Sequence, residues 1–143
     1  MSALMSAVAL IGVGAAVAAS TTTIRSANNA TLGRILESPS RHTLYVFVQG
    51  TSSHGSAHTQ KGWPALTASG KVVAASGSHI NAKKLSTRKL SGGKHQVTYY
   101  GQPLYLYTGD RKAGQTKGEA KSTSTGTWVV VSTTGRPVPP PGY

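Results

Sequence analysis

Asp110 is the single aspartate of the chain, and Glu37 and Glu119 are the only other acids. General acid-base work needs a second group within hydrogen-bond reach of the first, and paired-carboxylate hydrolysis needs two acids flanking one bond. Three isolated carboxylates in 143 residues give neither arrangement by spacing. A carboxyl at Asp110, beside Arg111 and Lys112, is expected instead to accept backbone N–H groups and pin the turn that follows it. No cysteine is present, so thiol nucleophiles, thiolate metal sites and disulfides are excluded. Serine and threonine are plentiful, but no arranged histidine and acid makes a triad, and no glycine-rich phosphate loop opens a helix.

Histidine offers the second chemistry. His54 and His58 lie in a Ser/Gly-rich loop, and His42 precedes an aromatic run. Neutral imidazoles bind copper or zinc, so these three residues are the candidate metal ligands. A flexible loop with no nearby acid completes no shell, and solvated loop histidines are the simpler expectation. No cofactor is expected.

The third possibility is stacking. Tyr99, Tyr100, Tyr105, Tyr107 and Trp128 are interleaved with Lys94, Arg111 and Lys117, as in a platform for sugars or bases. Alternation along a strand puts Tyr105 and Tyr107 on one face, however, where packing against Trp128 is the ordinary use.

The elements that must hold these residues read as strands. Gln96–Tyr100 and Pro103–Tyr107 are β-branched and aromatic, and they are expected to form a hairpin that meets at Gly101-Gln102. Leu44 to Val48 alternates apolar residues on both faces, Tyr45 and Phe47 on one and Leu44, Val46 and Val48 on the other, which predicts a central strand. Further strands are expected near 32–36, 71–75 and 127–132. Trp63-Pro64 fixes an extended step with a large anchor at the edge of the core. Residues 76–88 are expected to hold a turn or a loose helix, and 111–125 a long basic loop.

At the N-terminus, residues 3–19 are small, apolar and uncharged, followed by the cleavage-like step Val17-Ala18-Ala19. This predicts a signal-peptide helix over 1–19, cut after Ala19, leaving no stable transmembrane span. Residues 20–31 read as a flexible Ser/Thr/Asn lead-in, and residues 135–143, with Pro137 and Pro139 to Pro141, as a proline-rich tail unable to continue a ladder. Fifteen lysines and arginines give a net charge of +12, all of it at or after Arg25. An exported chain so charged favours anionic partners, meaning phosphate-bearing envelope polymers or lipid headgroups. The charges are scattered, so specific nucleic-acid recognition is not expected.

A repeat emerges when Leu44-Tyr45-Val46-Phe47 is laid on Leu104-Tyr105-Leu106-Tyr107, sixty positions later, each followed by a loop and a tryptophan, Trp63 and Trp128. The predicted fold is all-β: a small antiparallel domain over 32–138 made of two related units, 32–75 and 90–134. The string Gln96-Val97-Thr98-Tyr99, Gly101, Pro103-Leu104-Tyr105, Tyr107, Gly109-Asp110, Gly114, Gly118, Trp128-Val129-Val130, Gly135-Arg136-Pro137-Val138 resembles the bacterial secreted or lipoprotein repeats of unknown function. Their hallmark is Tyr-x-aromatic-x-x-Asp, here Tyr105-Leu106-Tyr107-Thr108-Gly109-Asp110. The first copy keeps Tyr45 and Phe47 but has Gly50 in place of the acid. Many members carry two cysteines before Trp-Pro, where this chain has Gly55 and Thr59. The resemblance implies export and a β fold, in the secreted fraction or the cell envelope, and implies no reaction. The motif residues Tyr45, Phe47, Trp63, Tyr105, Tyr107, Asp110 and Trp128 are therefore read as structural, in a non-enzymatic exported domain. The alternative is an extracytoplasmic copper- or zinc-binding protein.

Overall fold

The structure, a computed structural model, describes residues 20–50, 52 and 60–138. The predicted signal peptide, His54, His58 and the last five residues lie outside the described residues.

The chain is all-β, as its patterning predicts. Its strands are β1 (Thr21–Asn29), β2 (Gly33–Glu37), β3 (Tyr45–Val48), β4 (Thr67–Ala68), β5 (Lys71–Ala74), β6 (Leu85–Lys89), β7 (His95–Tyr99), β8 (Gln102–Pro103), β9 (Lys121–Ser122) and β10 (Thr127–Val130). They form small sheets in the orders β2-β1-β5, β3-β10-β9 and β4-β7-β6, with β8 on β7. All pairs are antiparallel except β1 with β5. Among the described residues no helix is long and apolar enough to cross a membrane.

β3 is central, as its two apolar faces require. One edge pairs with β10, Phe47 opposite Trp128, and the other meets Tyr105 through paired backbone bonds of 2.9 Å. Its faces feed different clusters: Leu44 and Val46 pack with Leu36, Val97, Leu104 and Val131, whereas Tyr45 and Phe47 pack with Trp63, Tyr105 and Trp128.

Four expectations need correction. Residues 20–31 are no flexible lead-in but contain β1, whose β-branched Thr22 and Ile24 are buried. The turn into β2 is closed by Asn29, whose Oδ1 accepts N–H bonds from Thr31 and Leu32 at 2.9 Å, with Gly33 following at φ 78°. The expected hairpin of the second half turns one residue earlier, at Tyr100-Gly101, where both residues have positive φ as a tight two-residue turn demands. It is also short: beyond Leu104 the strand leaves β7, and Tyr105 bridges Tyr45 and Ala65. Residues 76–88 hold the expected turn, with a 3₁₀ turn at Ala82–Lys84 capped by Asn81, but then enter β6 at Leu85 and form no helix beyond that turn. Finally, residues 135–138 do join the ladder. Gly135 turns at φ 83°, Pro137 bridges Val131, and Val138 donates to the Val130 carbonyl at 2.7 Å, so the imide that lacks a proton is not called on.

Candidate functional site

The centre of the molecule is a column of rings. Trp63 and Trp128 stack with centroids 4.0 Å apart and planes 1° from parallel. Tyr107 continues the stack on Trp63 at 4.4 Å, while Phe47 lies 4.8 Å from Trp128. Tyr45 meets Trp63 edge-on at 5.2 Å, and Tyr105 meets Trp128 edge-on at 5.0 Å. Such offset and edge contacts let the positive ring edge face the negative ring face, adding about 0.5–1.5 kcal/mol per pair beyond burial. Trp63-Pro64 places its ring here because its extended backbone runs beside the Tyr105 strand: Leu106 donates to the Pro64 carbonyl at 2.9 Å.

All of these rings except Tyr107 are buried, so the column is interior. Tyr99 is also fully buried; its hydroxyl donates to the Thr133 carbonyl at 2.5 Å and accepts from the Asn81 amide at 3.0 Å. Among the described residues Tyr100 is the large apolar side chain left exposed, with Lys84 5.5 Å above its ring. Lys121 sits 5.6 Å from the Tyr107 ring at the rim of the column.

Asp110 closes that rim from inside. The Tyr45 hydroxyl donates to Asp110 Oδ2 at 2.5 Å, the Lys117 amide donates to Oδ1 at 2.8 Å, and the Gly118 amide donates to the Tyr45 oxygen at 3.2 Å. The loop 110–118 is thereby tied to a tyrosine sixty-five positions earlier in the chain. Gly118 is required by this approach, since a Cβ there would lie 2.5 Å from the Trp63 ring and 3.0 Å from that of Tyr45. Burial first, then the bond to Asp110, pushes the Tyr45 phenol far above its ordinary range, so it stays protonated and donating.

Glu119, one residue further on, was not legible as important. Its Oε2 accepts the Val130 amide at 2.6 Å, supplying an acceptor where β9 has ended, and its buried Oε1 has no hydrogen-bond partner among the described residues. Burial raises its carboxyl from an ordinary 4.5 to about 7, against the opposing pull of the Val130 bond. Glu37 is buried too; desolvation raises it, while Arg41, Arg25 and His42 draw it down. Arg88, unmarked in the sequence, places Nε and Nη2 3.0 and 2.8 Å from Gln96 Oε1, and Gln96 Nε2 donates to the Leu104 carbonyl. Gln60 accepts from the Trp128 indole at 3.1 Å. Long polar side chains used as internal braces have no periodic signature that would have found them.

Of the candidate metal ligands, His42 lies against the Ser40 hydroxyl at 3.1 Å. Among the described residues no group of three or more His, Cys, Asp or Glu is placed to hold a metal ion. His54 and His58 lie outside the described residues.

Fold and centre together define a small all-β domain built around stacked aromatics, with carboxyls used as internal hydrogen-bond acceptors. Residues 86–132, from β6 to just past β10, match the family model described as a secreted repeat of unknown function. The match covers the Tyr99–Asp110 stretch and Trp128 and agrees with the resemblance read from the residues. No curated protein and no solved structure matches the chain.

Proposed function

We propose that this exported domain is a non-enzymatic module that holds to anionic surfaces of the cell envelope, wall polymers bearing phosphate or acidic lipid headgroups, through its exposed positive charge. The observation that supports this reading is the segregation of charge. All three acids are withdrawn: Glu37 and Asp110 are buried, and Glu119 is half-buried with one oxygen on Val130. The cations are outside, with only Arg25, Arg34 and Arg88 half-buried. Among the described residues the one ion pair is Arg41 with Glu37 at 4.0 Å. A surface of nearly one sign, with its counter-charges inside, attracts polyanions over a Debye length and does so without a shaped groove.

The test is sedimentation of the full chain with isolated cell walls, with acidic phospholipid vesicles and with neutral vesicles. Binding to the walls or to the acidic vesicles at low salt, lost at about 0.5 M salt, where the Debye length falls to a few ångströms, is the expected result. The arm that binds identifies the polymer or the lipid as the target. Binding that ignores salt, or equal binding to neutral vesicles, overturns the proposal.

A further inference from the structure

Three backbone bonds close a small ring in the first half of the chain. Leu36 donates to the Val131 carbonyl at 3.0 Å, Val131 to Leu44 at 3.3 Å, and Leu44 back to Leu36 at 3.1 Å. The same ring recurs in the second half: Val97 donates to Leu66 at 2.8 Å, Leu66 to Leu104 at 3.0 Å, and Leu104 back to Val97 at 3.0 Å. The correspondence pairs Leu36 with Val97, Leu44 with Leu104, and Val131 with Leu66. In each ring the third residue comes from the other half.

The backbone and ring contacts beside these rings follow the same exchange. Tyr45 and Tyr105 are equivalent in the repeat and bond to each other, amide to carbonyl, at 2.9 Å both ways. Trp63 and Trp128 are likewise equivalent, and they stack on each other. Tyr45 meets Trp63 at 83° and Tyr105 meets Trp128 at 77°, again equivalent pairs. Thr67 pairs with Gln96 as Ser132 bridges Ile35. An antiparallel bridge and a parallel-plane stack, each between a residue and its own counterpart, are what a local two-fold axis produces when both lie on it. The equivalent hairpins are β1–β2 and β6–β7, so the related units begin upstream of residues 32 and 90.

We infer that the two halves are a covalently joined, strand-exchanged dimer of one repeat, and that the surface offered by each half is a seat for the tryptophan-bearing strand of another copy. Residues 63–66 of the first half fill the seat on the Tyr105 run, and residues 128–131 of the second fill the seat on β3. Neither half closes its own aromatic core. The only covalent tie between the halves runs through β5 to β6, past the exposed Ser76-Gly77, where a Cβ at Gly77 would meet nothing within 4 Å.

A protease site inserted between Ser76 and Gly77 of the full chain tests this, and the same insertion between Ala75 and Ser76 repeats it if the first disturbs the fold. After cutting, the expected result by native mass spectrometry is one species holding both pieces. Its unfolding is expected as one transition, with a midpoint that shifts downward on tenfold dilution, whereas the uncut chain shows no shift. Two pieces that migrate apart in buffer, or two independent concentration-insensitive transitions, overturn the inference, because self-contained halves would behave that way.

Discussion

The two halves share a backbone plan and differ at their polar ends. In the half that carries β3, Tyr45 reaches Asp110 at 2.5 Å and a loop amide at 3.2 Å, both supplied by the other half. In the half that carries β7, Tyr105 occupies the equivalent place on the column, but Gly50 stands where a second aspartate would be, and the hydroxyl lies 3.5 Å from Arg88 Nη2. The rings and the exchanged strands match closely while the acceptors do not. The lesson is about tolerance: a packed aromatic interior admits few geometries, whereas a hydroxyl at its rim can be served by a carboxylate in one copy and placed beside a guanidinium in the other.

The comparison is broken most severely through the stack. Trp128 is fully buried and Trp63 nearly so, at 0% and 7% exposed. Trp128→Ala and Trp63→Ala should each lower stability by about 3–5 kcal/mol, as loss of a large buried ring does, with Trp128 the worse. Because each ring is the other's main neighbour, the double variant should lose clearly less than the sum. Urea titrations of the four proteins measure this; strict additivity would mean that the rings do not act as one unit.

The polar ends give the next effect. Tyr45→Phe leaves Asp110 Oδ2 buried without its donor and is expected to cost about 1.5–3 kcal/mol, the range for hydrogen bonds to charged groups. Tyr105→Phe removes the contact with Arg88 Nη2, which at 3.5 Å lies at the edge of the hydrogen-bond range, and is expected to cost less than Tyr45→Phe. Denaturant midpoints compare them directly, and equal losses would show that the two rims are energetically alike despite Gly50.

How much of this was readable beforehand follows from what each feature depends on. Alternation made Leu44 to Val48 evident, the β-branched and aromatic run made Thr127 to Ser132 evident, and the matching Leu-Tyr-x-aromatic runs announced two units. The strand at Thr21–Asn29 was missed because threonines and asparagines look like linker until a partner strand buries one face. The exchange of tryptophan strands could not be seen at all: Trp63 follows β3 in sequence, and nothing local says that it will pair with the Tyr105 run. Asp110 was recognised as a peg for its own turn, but its tie to Tyr45 is a tertiary fact. Glu119 looked like one more polar residue in a basic loop.

Glu119 also supplies the smallest difference between the halves, since no acid lies between Glu37 and Asp110 and the first half has no such group ahead of its tryptophan. Its carboxyl is raised from 4.5 to about 7 in the folded chain. Between those values the folded state keeps a proton that the unfolded state has released, so this group's contribution is fully present below about pH 4.5 and lost as pH rises through 7. The full shift would correspond to about 3 kcal/mol, and partial exposure of the side chain brings the expected loss nearer 1–2 kcal/mol. Glu119→Gln retains an acceptor for the Val130 amide and removes the titration. It should match the parent near pH 4.5 and exceed it at pH 8, flattening the stability profile between those limits. Glu37, raised in the same direction by burial, stays in both proteins, so the difference curve isolates position 119. A variant that is less stable than its parent at pH 8 would show that Glu119 is held ionised and bonded in the fold, not strained by burial.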